Sequence, residues 1–513
     1  MFPTLTSVQT LQANITSDLL MFLPELAVIG GLLTLLLLRL IPRFDRVHLG
    51  GVAVVALTVA IFAIGYQMHD GEWPGSYFGG MLTSDAWGGL VRLIVLAAAL
   101  VTVWLTLQTG IPDRDDSADF YTLVLGATLG MMLMTTASHL MMVFIAVEMA
   151  SLPGYALAGF RKGQRQGSEA ALKYVVYGAA ASGVMLYGIT LLAGTFGSGT
   201  LREVALGIAA RGFDLPVLAG LALTFVGLGF KLATVPFQFW CPDVFEGAAA
   251  EVAGFLSVAS KAGAIGLSGR LVLSLHTAQA DRWAVPTQIG VGLAVIAMLT
   301  VTFGNLAAFG QNNLKRLLAY STIAHAGYLL MGLVIMTPLG AAAVLYYLAV
   351  YAAMNLGAFG VVAWVRNATG SEDLAAFRGL VQRNPLVAVS MTVFLASLLG
   401  LPPLAGFAGK FQVLAAVYDA AKEATLTAPP GVGTVFFVLL AVGAINTALS
   451  AYYYLRVARA MLLEEPTSPE SLPTHPGIII LCGVLVVALI AAGVVWEPLI
   501  GVTNSAAEPF RIT

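Results

Sequence analysis

Six ionisable side chains interrupt runs of apolar residues: Glu148, Lys173, Lys231, Lys261, His325 and Lys410. A charge at the centre of a bilayer costs about 2.5 to 3.5 kcal/mol on insertion scales, so each such group needs a partner, water or a role. Burial disfavours the charged form of a lysine, whereas a carboxylate within ~4 to 6 Å restores it. A lysine balanced between these influences gains or loses a proton when a neighbouring charge moves. The chemistry this pattern points to is proton transfer along a row of coupled two-state sites.

Each residue also has a purely structural reading. Glu148 and Lys231 can form a static buried ion pair between two helices. Lys173 lies about five residues inside its run and can snorkel toward Arg161, Lys162 and Arg165. His325 can be a hydrogen-bonded packing histidine, Arg92 an edge anchor, and Glu25, beside Pro24, an interfacial carboxylate. A packing role accounts poorly for three deep lysines and a deep glutamate on four helices, two of them interrupted.

The elements that must position these groups follow from composition. Of 513 residues, 58% are apolar and 10% charged, and the mean hydropathy is +0.88; a soluble domain carries about 25% charged residues. That excludes an ordinary soluble protein, and a net charge of −2 argues against nucleic acid as a partner. Cys241 and Cys482 belong to no Cys/His cluster, so zinc and iron–sulfur ligation lack support. Apolar runs between polar or Gly/Pro-rich breaks predict fourteen spans: 18–41, 49–67, 84–107, 119–136, 138–160, 168–194, 216–240, 252–275, 286–308, 315–336, 341–364, 386–415, 433–461 and 476–497. Runs such as 29–38 are apolar on every side, unlike the alternating strands of a membrane barrel. The expected fold is an all-α polytopic membrane protein.

Fourteen Lys and Arg fall in loops after odd-numbered spans or at their edges: Arg39, Arg43, Arg46, Arg114, Arg161, Lys162, Arg165, Lys315, Arg316, Arg366, Arg378, Arg383, Arg456 and Arg459. Six fall on the other side: Arg202, Arg211, Arg270, Arg282, Lys422 and Arg511. The positive-inside rule then places both termini on the non-cytoplasmic side, most simply of a bacterial cytoplasmic (inner) membrane. Residues 1–17 hold no Lys or Arg and do not read as a cleaved signal peptide. Span 7 contains Gly227, Gly229, Lys231 and Pro236; span 12 contains Gly400, Pro402, Pro403, Gly406, Gly409 and Lys410. These two interrupted spans lie five apart, and an odd offset reverses the direction of crossing. The pattern implies two inverted five-helix repeats, spans 4 to 8 and 9 to 13, with broken helices 7 and 12. The chain divides accordingly into an N-terminal three-helix segment (1–115), two repeats (116–280 and 281–465) and a last helix with its tail (466–513).

Glu148 sits in Val-Glu-Met-Ala-Ser-Leu-Pro-Gly-Tyr (147–155), Lys173 in Glu-Ala-Ala-Leu-Lys-Tyr (169–174), and Lys231 opens Lys-Leu-Ala-Thr-Val-Pro-Phe-Gln-Phe-Trp (231–240). Phe-Leu-Ser-Val-Ala-Ser-Lys-Ala (255–262), Ala-Tyr-Ser-Thr-Ile-Ala-His-Ala-Gly-Tyr (319–328), Leu-Pro-Pro-Leu-Ala-Gly-Phe-Ala-Gly-Lys-Phe (401–411) and Ser-Ala-Tyr-Tyr-Tyr-Leu-Arg (450–456) follow. Together these resemble the subunit N family of the bacterial proton-translocating NADH-quinone oxidoreductase, respiratory complex I, one of its three antiporter-like membrane subunits. The likeness runs through most of the chain and is weakest before about residue 120. The M paralogue usually carries a glutamate where Lys410 stands, and the L paralogue adds a long lateral helix. One departure is Ala249-Ala250-Glu251, where the family usually reads Pro-Thr-Pro.

The resemblance implies that Glu148, Lys231, Lys261 and Lys410 transfer protons, with Lys173 and His325 as auxiliary members. It implies no cofactor in this chain, with NADH, FMN, iron–sulfur clusters and quinone held by partner subunits. The implied partners are the neighbouring M subunit, the small membrane subunits and, indirectly, the peripheral redox arm, besides the lipid bilayer. A subunit of an Mrp-type cation/proton antiporter, which shares the two lysine motifs, is the alternative.

Overall fold

A computed structural model describes residues 15–41, 47–71, 73, 75–110, 116–161, 163–466, 470–473 and 476–510. Without water to satisfy its backbone, an apolar run folds as a helix, which pairs its N–H and C=O groups within its own segment. The chain begins with α1 (Ile15–Met21) and α2 (Leu23–Arg39), bent by 77°, followed by α3 (Gly50–Asp70) and an antiparallel hairpin of β1 (Gly75–Tyr77) and β2 (Leu82–Ser84). Next come α4 (Ala86–Thr109), α5 (Ser117–Thr136), α6 (Leu140–Ala158), α7 (Arg165–Phe196), α8 (Leu201–Arg211), α9 (Leu215–Leu232), α10 (Trp240–Gly247) and α11 (Ala250–Thr277). A π-helical turn (Pro286–Gly290) leads into α12 (Val291–Ala308), then α13 (Leu314–Val334), α14 (Pro338–Thr369), α15 (Leu380–Arg383), α16 (Pro385–Leu399), α17 (Ala405–Thr427), α18 (Val432–Leu463), α19 (Pro476–Val494) and α20 (Glu497–Ala506).

The molecule is an all-helical polytopic membrane protein. Twelve described helices are long and apolar enough to cross a membrane, thirteen if the bent α1–α2 pair counts as one span. The twelve coincide with spans 2 to 11, 13 and 14. Span 12 departs from its expected limits of 386–415, falling on two helices, of which α17 runs on to Thr427. Val413, Ala416, Val417, Ala420, Ala421 and Ala424 keep a buried face at helical spacing there, while Asp419 and Lys422 face outward. Span 7, expected to reach residue 240, stops as a helix at Leu232.

The centre of the bundle is α11, α13 and α14, whose apolar windows are wholly or almost wholly buried, whereas only about a third of those of α18 and α19 is buried. Small residues set the approach between neighbours, the packing that joins helices where lipid is as apolar as the side chains. A Cβ on Gly130 of α5 would lie 2.3 Å from the Ala150 nitrogen of α6, and one on Gly304 of α12 would lie 2.5 Å from the Ala324 nitrogen of α13.

Contacts between loops sort them onto two faces. On one, Arg39 pairs with Asp119, Asn367 donates to the Thr109 carbonyl, Arg316 pairs with Asp243 and Arg456 donates to the Phe309 carbonyl. On the other, Ser138 bonds to the hairpin segment at Gly80 and Met81, Leu140 N–H donates to the Gly199 carbonyl, and Arg282 pairs with Glu423. Arg43, Arg46, Arg114, Lys162 and Arg511, which enter the loop-charge comparison, lie outside the described residues. Glu25 and Arg92, expected singly as an interfacial carboxylate and an edge anchor, are joined to each other. Both are wholly buried and pair at 3.0 Å, since a buried charge is tolerated when a partner neutralises it.

Candidate functional site

Lys231 is the penultimate residue of α9. Ala233 adopts a left-handed φ of 58°, and the carbonyls of the last α9 turn lose the partners that a continuing helix would supply. One of them, that of Lys231, accepts from Lys261 Nζ of α11 at 3.1 Å. Trp240, opening α10, closes the interrupted segment: its Nε1 donates to the Phe230 carbonyl at 3.0 Å and its ring stacks on Tyr174 of α7 with centroids 4.4 Å apart. Lys261 Nζ stands 4.9 Å above the Trp240 ring, within cation–π range. Lys231 Nζ is buried with no hydrogen-bond partner among the described residues, and its charged neighbours there are Glu148 of α6 and Lys261. Glu148 is half-buried and accepts from Ser182 of α7.

The second interruption builds a similar setting. α16 ends at Leu399, Gly400 takes φ 91°, and the chain turns before α17. Lys410 Nζ, one and a half turns into α17, donates to the freed carbonyls of Leu398 at 2.9 Å and Leu399 at 3.0 Å. It lies 4.9 Å above the Tyr328 ring. Each ammonium thus rests on the C-terminal carbonyls of a helix that stops inside the protein, the negative end of its dipole, with an aromatic face beside it.

A seam of polar groups runs between the two settings through the core helices. Ser257, one turn before Lys261 on α11, accepts from Asn355 Nδ2 at 2.6 Å. Asn355 also donates to Tyr351 OH at 3.0 Å, and Tyr351 OH donates to Thr322 at 3.0 Å. The Tyr351 ring lies 5.1 Å from that of His325. His325 Nδ1 meets Tyr347 OH at 2.5 Å and its Nε2 meets Tyr454 OH at 3.1 Å, with Tyr454 held by Ser321 at 2.5 Å. Lys410 is the charged neighbour of His325. Tyr347, Tyr351 and Asn355 were not among the sequence candidates, yet they recur every fourth residue along α14, a polar stripe on an otherwise apolar helix. That spacing is the signal that finds them.

Lys173 stands apart from this row. It pairs with Asp243 at 2.7 Å and Glu169 at 2.8 Å, and Arg316 joins Asp243 at 2.7 Å and Glu246 at 2.6 Å. Burial favours the neutral form of Asp243, but hydrogen bonds from Lys173 and Arg316 outweigh it and hold the carboxyl below the usual carboxylate range. Cys241 and Cys482 are buried free thiols, and no group of three His, Cys, Asp or Glu among the described residues is arranged to hold a metal ion.

Residues 137–437 match the family described as NADH:quinone oxidoreductase/Mrp antiporter, TM. NADH-quinone oxidoreductase subunit N of an Anaeromyxobacter species is 40% identical over 96% of this chain and 97% of its own length. Among solved structures, a chain of respiratory complex I from Thermus thermophilus with bound aureothin is 32% identical, with a TM-score of 0.74 over 93% of this chain and 98% of that one. A chain of the Mrp complex from a Dietzia species shares the fold at 21% identity, with a TM-score of 0.78 over 95% of this chain and 97% of that one. With near-complete coverage at this identity, the chain belongs to the NADH-quinone oxidoreductase subunit N family.

Proposed function

We propose that this chain is a proton-translocating membrane subunit of an NADH-quinone oxidoreductase, moving protons along Glu148, Lys231, Lys261, His325 and Lys410. The observation that carries this reading is the pair of buried lysines, each seated on carbonyls freed by an interrupted helix and linked by a seam of hydroxyls and an imidazole. A charge shift in a neighbouring subunit that draws on Glu148 deprives Lys231 of its carboxylate, and the Lys231 proton passes to the amine of Lys261. His325 faces a tyrosine hydroxyl at each ring nitrogen, so it takes a proton at one and releases one at the other toward Lys410. Lys173, tied to Asp243, is an auxiliary charge on α7, the helix whose Ser182 donates to Glu148. NADH, FMN, iron–sulfur clusters and quinone belong to partner subunits, and the membrane neighbours are the M paralogue and the small membrane subunits.

The same reading takes α1–α2 as one crossing and α16–α17 as another, which makes fourteen crossings with inverted repeats at spans 4 to 8 and 9 to 13, and segments at 1–115, 116–280, 281–465 and 466–513. Each loop contact described above joins loops of the same parity, which supports strict alternation. The Arg39, Arg316 and Arg456 face is then cytoplasmic, in a bacterial inner membrane, and both termini lie on the other side.

Glu148→Gln and Lys231→Ala, introduced in the assembled complex and measured as acidification per NADH oxidised in proteoliposomes, test the relay. Pumping falls severalfold in both while subunit content is unchanged; normal pumping in assembled Lys231→Ala refutes it. A tagged chain that purifies from mild detergent without peripheral redox subunits would instead favour the antiporter reading.

A further inference from the structure

α11 carries Lys261 at its middle and a second ionisable group, Glu251, in its first turn. Glu251 is 2% exposed, and the side chain hydrogen-bonded to it among the described residues is Thr109 of α4, whose Oγ1 lies 2.5 Å from Oε1. Thr109 has one hydroxyl proton and also faces the Leu105 carbonyl at 3.1 Å. When the hydroxyl bonds that carbonyl, the proton in the short contact comes from Glu251. The charged groups facing Glu251 are Lys315 of α13 and Glu372 in the loop after α14. Lys315 Nζ is already held by the Ala248 carbonyl at 2.6 Å and by Glu372 at 2.9 Å, and Glu372 also pairs with Arg366 of α14 at 2.9 Å. In this network two cations share one carboxylate, leaving a net positive charge on the side of Glu251 away from Lys261, but no cation among the described residues touches Glu251. Taking a carboxylate out of water with no counter-ion in contact favours its protonated form, which has a proton to give.

On its inner side, Ser257 lies six residues further along α11, about 9 Å at 1.5 Å per residue, and Lys261 another ~6 Å beyond. Asn355 Oδ1, on the residue that donates to Ser257, and Ser260 Oγ, on the residue before Lys261, are buried with no partner among the described residues, and buried polar atoms of this kind bind interior water.

Building on the relay reading, we propose that Glu251 is the proton-loading carboxylate of the row, linking the Lys315–Glu372–Arg366 face to Lys261. The proton leaves the Glu251 carboxyl, passes along water and the hydroxyl of Ser257, and adds to the lone pair of a neutral Lys261 amine. Glu251, left as a carboxylate, takes its next proton from the side on which Lys315 and Arg366 lie. A role confined to packing, with an acid in the first turn of a helix favoured by the dipole, has no such pH dependence.

The test uses the complete complex in proteoliposomes with the uptake-side pH varied. Glu251→Gln, which keeps the shape and a hydrogen bond, is expected to pump about threefold more slowly than wild type near pH 8, where protons are scarce, and to approach wild type near pH 6, while Glu251→Asp retains most pumping at both. Infrared difference spectra between the two pH values should lose one carboxyl carbonyl band in Glu251→Gln and show it displaced in Glu251→Asp. A wild-type pH profile, an equal loss at both pH values, or unchanged carboxyl bands overturns the assignment; if Glu251→Gln fails to assemble, the band in Glu251→Asp decides. Lys261→Ala separates the two levels of inference. Normal pumping in it overturns the relay, whereas lost pumping in it beside an unaffected Glu251→Gln overturns the Glu251 step alone.

Discussion

Lys261 and Lys410 are each stabilised by two kinds of partner, carbonyls at the end of a stopped helix and the face of an aromatic ring. Neither partner carries a full negative charge, so the ammonium is held without being locked into an ion pair. That distinguishes the row from the Glu25–Arg92 pair, where two wholly buried charges neutralise each other at 3.0 Å. Lys410→Glu should therefore retain more pumping than Lys410→Ala, because a protonated carboxyl can still donate to the Leu398 or Leu399 carbonyl and still titrates, whereas alanine leaves both carbonyls unpaired. Acidification rates of the two variants at equal complex content check this; equal loss in both would show that the amine itself is required.

At the scale of elements, the interruption of α16 depends on Gly400, whose φ of 91° is strained for any residue with a Cβ, and an added Cβ would lie 3.1 Å from Lys410 Cδ. Gly400→Ala should cost at least about 1 kcal/mol through the left-handed backbone alone and displace the lysine, so thermal unfolding in detergent and pumping should both fall. Tyr351→Phe removes only the hydroxyl that ties α14 to Thr322 of α13 and accepts from Asn355 one turn further along α14. Pumping should drop while the melting temperature changes little, since the ring stays packed. Asp85 caps α4 through the Gly88 N–H at 2.7 Å and pairs with Arg270 of α11 at 2.6 Å. Burial alone would raise this carboxyl, but Arg270 and the Gly88 N–H outweigh it and hold it below its ordinary 3.8. Its contribution to stability is present above the unfolded value and is lost as pH falls through the folded one. Asp85→Asn should lower the melting temperature near neutral pH, by an amount reflecting about 3 kcal/mol for a broken buried pair, and the gap should close only below the carboxylate range.

For the whole molecule, the two loop faces make a statement about crossing the membrane. A reporter fused after Glu465 should behave as cytoplasmic and one fused after Val495 as external, because α19 lies between them and the basic loops share the face of Glu465. Activity of a periplasmic reporter such as alkaline phosphatase reads the outcome, and the reverse pattern would invert the assignment of uptake and release sides for Glu251 and Lys410.

Composition and run length determined the class of this protein: a chain with 10% charge can neither dissolve nor disperse its apolar helices in water, and runs too long and too uniformly apolar for strands have to be helices. The candidate residues were visible for the same reason, since a lysine in such a run stands out against its cost. Most of their supports were not. The carbonyls that hold Lys261 and Lys410 belong to α9 and α16, and the rings above them to Trp240 and Tyr328, partners 11 to 82 residues away in sequence. Tyr347, Tyr351 and Asn355 can be found by their helical spacing, but that they meet His325, Thr322 and Ser257 is decided only by the packing. Lys173 and Arg92 show the limit most plainly: both are cations in apolar runs, and only the packed helices decide that one meets Asp243 at the edge of the bundle while the other meets Glu25 inside it. Helical periodicity sets which face a residue occupies, but which other helix that face meets is decided by packing across the whole bundle.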